Sequence, residues 1–310
     1  MKSVMPDYLP SFKCIAGRCR HTCCAGWEID IDEYSLERWQ QVKGPFGERL
    51  RGCIEQDADS AHFCLLPGDR CPLLRADGLC EMIVQLGEDS LCDICADHPR
   101  FRNFFSDREE LGLGMCCEEA ARLILTRETP VCLMEMGDEA LRYEETALLS
   151  LRAEAIGLAQ DRTLSMEERL CRLEEEAGGA VFAAGSEAAA LLRPLERLDA
   201  AWEERLDCLE KQPSLTLCNH SDTPLEQLCV YFLFRHLPGA AEDGRFTERL
   251  LMCTLLTRVT AAISRGMDDL IEAARQISGE IEYSDENIGL ILDKIGEKTQ
   301  NRSDLFTILP

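Results

Sequence analysis

The sequence has no run of about 18 apolar residues, so it offers no helix able to cross a bilayer. Its opening, Met1-Lys2-Ser3-Val4-Met5-Pro6-Asp7-Tyr8, lacks the apolar stretch of a secretion signal. Both absences lead to the expectation of a cytoplasmic, reducing compartment, where disulfides are rare and metal thiolates persist. Basic charge is also scarce. Lys and Arg number 33 against 57 Asp and Glu, a formal net charge of −24. That field repels phosphate backbones and argues against a nucleic-acid partner, while it suits solubility and attracts a lysine-bearing protein surface. Aromatic residues make up only 6%, and no sustained period-2 alternation is visible, so strands are expected to be few and confined to the first half. Internal repeats and low-complexity tracts are missing as well.

Cysteine, by contrast, is abundant and unevenly placed. Thirteen of the 18 fall within the first 132 residues. Cys14, Cys19, Cys23 and Cys24 form a tight opening group, followed by Cys71, Cys80, the C-x-x-C pair Cys92 and Cys95, and the doublet Cys116-Cys117. Thiolates are the soft donors that zinc and iron–sulfur clusters require, and a C-x-x-C turn directs two sulfurs to one point. Neighbouring side chains diverge, so Cys23 and Cys24 either face two centres or include one packing residue. Cys53, Cys64 and Cys132 have no close partner in sequence and read as buried small hydrophobes. The same reading applies to Cys171, Cys208, Cys218, Cys229 and Cys253, which lie in apolar helical stretches. Two cofactor signatures fail. The radical S-adenosylmethionine pattern C-x3-C-x2-C begins at Cys19-x3-Cys23, but Gly26 stands where its third cysteine belongs. The only Gly-x-Gly, in Leu111-Gly112-Leu113-Gly114, is too short for a dinucleotide-type loop and runs directly toward Cys116.

Composition divides the chain near residue 130. Residues 1–130 are Cys-rich and interrupted at Gly44-Pro45, Pro67-Gly68, Asp77-Gly78 and Pro99, whereas 131–310 carry long amphipathic segments. The fold class expected is mainly α: an irregular Cys-rich metal-binding N-terminal domain (1–130) followed by an α-helical C-terminal domain (131–310). Helical intervals over 138–176 include Leu141, Leu148 and Leu151, and Ser165 with Glu168 forms a capping box for a new helix. A helix over 186–210 is expected to bend at Pro194. Thr223-Pro224 is expected to cap a helix running from Leu225 to His236. Residues 246–278 carry a long apolar run, Leu250, Leu251, Leu255, Leu256 and Val259, that is expected to be buried, and Ser284 is expected to start a last helix through Ile288 to Ile295. Asp32 is expected to cap a helix over Tyr34 to Gln41.

With these residues in place, the chain resembles the FliB-type flagellin lysine N-methylases, related to the cysteine-cluster proteins typified by YkgJ. The resemblance is carried by Phe12-Lys13-Cys14-Ile15, Cys19, Cys23-Cys24-Ala25-Gly26-Trp27, Ile31-Asp32, Cys71-Pro72-Leu73, Gly78-Leu79-Cys80 and Gly87-Glu88. It continues through Leu91-Cys92, Cys95, Pro99-Arg100 and Cys116 with Glu118 to Leu123. Tyr231-Phe232 with Arg235, and Ser284-Asp285-Glu286-Asn287, extend it into the second half. It implies an S-adenosylmethionine-dependent protein-lysine N-methyltransferase carrying a [4Fe–4S] cluster and acting on surface lysines of flagellin. Zinc is the alternative metal, and a non-catalytic binding or redox module the alternative function. Metal ligands would come from Cys14, Cys19, Cys23, Cys24, Cys71, Cys80, Cys92, Cys95 and Cys116. Tyr231 and Arg235, one helical turn apart, would line the catalytic pocket, and Arg100 and Trp27 would contact the cofactor. The chain is shorter than many members of that family. It also has His98 before Pro99-Arg100, where the family has an aromatic residue, and Cys117 where the family has proline. His98 and Cys117 are therefore candidate substitute ligands.

Overall fold

The computed structural model describes residues 2–57, 60–137, 142–217, 221–264 and 267–307. Two compact units emerge. The larger comprises residues 1–12, 102–116 and 120–310; the smaller, Cys-rich one comprises 13–101 and 117–119. The change in composition near residue 130 and this division follow different lines. Strand β1 (Lys2–Pro6) draws the N-terminus into the larger unit, running parallel to β5 (Arg108–Leu113) and antiparallel to β6 (Leu133–Met136). With β4 (Arg100–Phe104) on the far edge, the sheet order is β4-β5-β1-β6. The Cys-rich unit is therefore an excursion of the chain out of and back into one sheet-and-helix body.

The Cys-rich unit contains α1 (Glu33–Gln40), α2 (Gly44–Arg51), α3 (Glu81–Leu86) and α4 (Asp93–Asp97), with a small hairpin of β2 (Ile54–Gln56) and β3 (Ala61–Phe63). Asp32 caps α1 as expected: its carboxylate accepts from Ser35 N at 2.8 Å. Its other oxygen accepts from Asp93 N at 2.9 Å, so one side chain serves the first turns of both α1 and α4. Trp39 is 1% exposed, stacks on Phe63 with ring centroids 5.6 Å apart and donates its indole N–H to Ser90 O. These aromatics anchor a core that also includes Ile29, Leu50, Leu73 and Met82.

The larger unit continues through α5 (Glu118–Leu125), which starts on residues of the smaller unit, then α6 (Tyr143–Ala159) and α7 (Met166–Glu176). Next come α8 (Gly185–Leu192), α9 (Trp202–Glu210), α10 (Asp222–His236), α11 (Ala240–Asp243), α12 (Phe246–Ile263), α13 (Met267–Ile281) and α14 (Asp285–Thr307). Helices α10 and α12 are apolar nearly all round and pack on each other at the centre. Helices α6 and α7 cover one flank; α9, α13 and α14 contact α12. Gly185 lets α8 meet the end of α9, because a Cβ there would lie 2.0 Å from Leu209 O.

The Ser165–Glu168 capping box is present: Glu168 N donates to Ser165 Oγ, and Ser165 N donates back to Glu168 Oε2 at 2.8 Å. Two expectations change. Pro194 ends a helix rather than bending it, and α8 and α9 are separate. The loop between them is tied down by Asn287, which bonds both backbone groups of Glu196, and by Glu280, which accepts from Leu198 N and Asp199 N. The apolar run Leu250, Leu251, Leu255, Leu256 and Val259 is buried as expected and lies on α12, which ends at extended backbone at Ser264 before α13. Helix α10 starts at Asp222 behind Ser221, which places Thr223-Pro224 inside the first turn. Leu141 lies outside the described residues. No helix among them is long and apolar enough to cross a membrane.

Candidate functional site

In the Cys-rich unit, Cys71 and Cys92 are buried in the core, and Cys24, Cys53, Cys80 and Cys95 pack against it. Backbone pairing brings them there. Cys71 N donates to Cys24 O at 2.8 Å, Leu74 forms a bridge with Cys80, and Ala96 N donates to Cys92 O in the turn that holds the C-x-x-C pair. Cys53, set aside by the spacing argument, thus shares a core with the candidate ligands; its signal is only that Cys64 N bonds Cys53 O next to β2 and β3.

The sulfurs interact pairwise. Cys23 and Cys24 are hydrogen-bonded to each other. That bond pushes the Cys23 thiol up and holds Cys24 down to about 7, where Thr22 and the Arg70 charge also favour its thiolate against burial. Cys95 is pushed up by its hydrogen bond with Cys92, by burial and by the charges of Cys92, Cys24 and Cys71, while Cys92 is lowered by the same bond. Burial raises Cys71 to about 12 and also raises Cys80; the charge of Cys24 acts on both. Cys24, Cys71, Cys80, Cys92 and Cys95 therefore feel one another. Cys23 instead feels Cys14 and Cys117 after its bond with Cys24 and burial. The adjacent thiols Cys23 and Cys24 face different sets of neighbours.

Among the described residues, no group of three or more His, Cys, Asp or Glu side chains is placed to hold a metal ion. The core nonetheless gathers six cysteines, Cys53 among them, and an all-sulfur donor set suits zinc or an iron–sulfur cluster and not a hard cation. Trp27 and His98 stand beside this set. The Trp27 indole donates to Cys23 O at 2.8 Å, and its ring lies 6.0 Å from that of His98. Burial pushes His98 down to about 4, so its imidazole is neutral at physiological pH. Arg100, two residues on, is half-buried, with Nη1 3.5 Å from Ala96 O.

The larger unit holds a different cluster. Tyr231 and Arg235 meet as expected, with Arg235 Nη1 donating to Tyr231 Oη at 3.2 Å, but both face inward. Tyr231 donates to Glu282 Oε2 at 2.6 Å, and its hydroxyl accepts from Met115 N. The Glu282 carboxylate is fully buried; it lies 2.6 Å from His236 Nε2 and 3.4 Å from Arg235 Nε. Arg235 also donates to Glu282 O and covers the ring of Tyr283 at 4.8 Å. Tyr283 is 51% exposed, and Cys116 Sγ donates to its hydroxyl at 3.1 Å. The sequence reading missed Glu282, His236 and Tyr283. Only the position of Tyr283, just before Ser284-Asp285-Glu286-Asn287, could have drawn attention to it.

The remaining cysteines sort by burial. Cys229 and Cys253 are buried packing residues as expected, and Cys53, Cys64, Cys171 and Cys208 are half-buried. Cys132 is exposed, contrary to expectation, because it follows Pro130 in the loop that reaches the edge strand β6. Cys218 lies outside the described residues. The Gly112-x-Gly114 segment leads out of sheet strand β5, with Leu113 fully buried.

Over 140 residues the chain is 26% identical to proteins named lysine-N-methylase from Salmonella typhimurium and Salmonella choleraesuis; the matched stretch covers 42% of this chain and 34% of each of theirs. It is equally identical, over the same length, to the flagellar biosynthetic protein FliU of Salmonella muenchen, covering 80% of that protein. The chain thus spans about a third of the length of the two methylases. The resemblance to FliB-type lysine N-methylases read from the motifs is supported by these relatives. No family model and no solved structure matches the chain.

Proposed function

We propose that the protein is an S-adenosylmethionine-dependent lysine N-methyltransferase acting on flagellin or a similar lysine-rich protein, with a [4Fe–4S] cluster or zinc in its Cys-rich unit. The observation that carries this reading is the likeness to proteins named lysine-N-methylase, and the cysteine-lined core agrees with it. Cys24, Cys71, Cys92 and Cys95, with Cys80 beside them, would hold the metal. An iron–sulfur cluster bound there would supply an iron able to take up or activate the cofactor.

The chain's own residues suit the rest of the task. Arg100 offers a planar, permanently charged fork for the cofactor carboxylate. Trp27 offers a half-buried ring for its base, fixed in place by the bond to Cys23 O. A target lysine has to reach the methyl group as the neutral amine; the acidic surface attracts it as the cation, and partial burial then favours proton release. Tyr231 and Arg235 keep their hydrogen-bonding groups on Glu282. They would serve within the larger unit, where Arg235 fixes the half-exposed Tyr283 ring.

The engagement of Tyr231 and Arg235 by Glu282 also favours a second reading, a metal-stabilised binding or redox module without methyl transfer. Anaerobic purification with iron, zinc and acid-labile sulfide analysis, followed by incubation with S-adenosylmethionine and flagellin, separates the two. Iron with matching sulfide and a methyl mass increase on flagellin lysines are expected. Zinc without sulfide, together with unmodified flagellin, would leave the module.

A further inference from the structure

Helix α3 of the Cys-rich unit turns most of its apolar side chains outward. Of its six residues only Met82 enters the core, and Glu81 is held by Arg49 at 2.5 Å. Ile83, Val84 and Leu86 lie outside, 37%, 47% and 40% exposed. Ile83 and Leu86, three apart, share a face, with Val84 beside them. Isoleucine and valine form helices less readily than Glu, Lys or Gln, so neither helix stability nor solubility accounts for their place here. Contiguous exposed apolar side chains mark contact surfaces, whereas scattered ones do not.

The turn that follows adds charge on a fixed backbone. Gly87, with φ of 89°, leads into the 3-10 turn Glu88–Ser90. Ser90 Oγ donates to Gly87 O, Ser90 O accepts the indole N–H of buried Trp39 at 2.9 Å, and Asp89 O accepts from Arg38 Nη1 at 2.6 Å. Glu88 and Asp89 are exposed, and among the described residues neither carboxylate is in an ion pair. The guanidinium of Arg38 is engaged by the backbone oxygens of Asp89 and Leu91, and that of Arg49 by Glu81 and Pro72 O. Residues 83–89 thus present three apolar side chains and two uncompensated carboxylates on a backbone already ordered, which lowers the cost of binding.

We propose that this surface docks a short amphipathic segment of the protein partner, its apolar row on Ile83, Val84 and Leu86 and its lysines at Glu88 and Asp89. A basic occupant follows from the two unpaired carboxylates and from the net charge of −24. Three side chains suit a short segment and fall short of a permanent subunit interface. The surface stands apart from the methyltransferase reading; that the docked segment belongs to the methylated substrate rests on it.

The test uses the full chain and two fluorescent helical peptides, one of leucine and lysine, the other with glutamate in place of lysine. Anisotropy should show the lysine peptide bound and the glutamate peptide free. V84S/L86S and E88Q/D89N should each weaken the lysine peptide by about tenfold, the second pair chiefly at low salt. Circular dichroism melts should match wild type, because these side chains lie outside the core. With flagellin as methyl acceptor, both variants should raise KM and leave kcat unchanged, since docking binds ground and transition states alike. Unchanged peptide affinity in either variant, equal binding of the glutamate peptide, or a wild-type chain that ignores the lysine peptide would overturn the docking surface. Methyl transfer with an unmoved KM in both variants would overturn its role toward the substrate. Variant-sensitive peptide binding by a wild-type chain that transfers no methyl group would instead overturn the methyltransferase reading and support the surface.

Discussion

The hydroxyl of Tyr231 donates to the carboxylate of Glu282 at 2.6 Å, inside a helical core where neither side chain reaches solvent. Glu282 in turn carries Arg235 and His236, so the buried charges are balanced and their hydrogen-bonding capacity is used. Removing any member leaves the others desolvated without compensation. Y231F should destabilise the fold by about 1–3 kcal/mol, since it withdraws one bond from a buried carboxylate and one acceptor from Met115 N. E282Q should cost more, about 3–5 kcal/mol, because Arg235 keeps its charge and loses its counterion. Urea unfolding followed by circular dichroism gives both values. Equal costs would contradict the central place of Glu282.

The same cluster sets an acid limit. Burial works to raise the Glu282 carboxyl, but the charge of Arg235 and the bond and charge of His236 hold it down to about 2, below its ordinary 4.5. A carboxyl depressed in the folded state stabilises above the unfolded value and loses that contribution as pH falls through the folded one. That is about 3 kcal/mol given up between roughly pH 5 and pH 2. Burial also pushes His236 below its ordinary 6.5, so the unfolded chain takes up that proton first and the loss begins below about pH 6.5. Stability measured from pH 8 to pH 3 should therefore fall in two stages. In H236Q the upper stage should vanish while the lower remains.

Asp32 offers a test in the Cys-rich unit. Its two oxygens cap α1 through Ser35 N and α4 through Asp93 N. D32A should lower stability by about 1–2 kcal/mol, while D32N, which keeps one acceptor, should lose less. Because Asp93 follows Cys92, D32A should also slow metal uptake. Stopped-flow metal binding would detect this, and unchanged kinetics would show that α4 holds Cys92 and Cys95 without help from Asp32.

Metal removal separates the two classes of cysteine. C92S should lose bound metal and lower the melting temperature of the metal-loaded protein, because binding energy in such sites is folding energy. C132S, at an exposed position, should change neither. Anaerobic chelation of the wild-type protein should reproduce the C92S melting curve. If chelation left the melting temperature unchanged, the sulfurs would be packing residues.

The sequence by itself determined what depends on neighbours a few residues apart. The cap at Asp32, the Ser165–Glu168 box, the helical period of the second half and the turn that pairs Cys92 with Cys95 each need only local hydrogen bonds. A single helix over 186–210 does not form for a related reason: apolar periodicity continues across Pro194, and only packing reveals where the axis stops. Tertiary structure alone decided the rest. Tyr231 and Glu282 are 51 residues apart, Cys19 and Glu118 are 99 apart, and β1 pairs with β5 across the whole Cys-rich excursion. Nothing in the spacing of those residues marks them as partners. They meet because two helices and a sheet bury particular faces together, and a desolvated polar group then takes whichever partner that packing brings within reach.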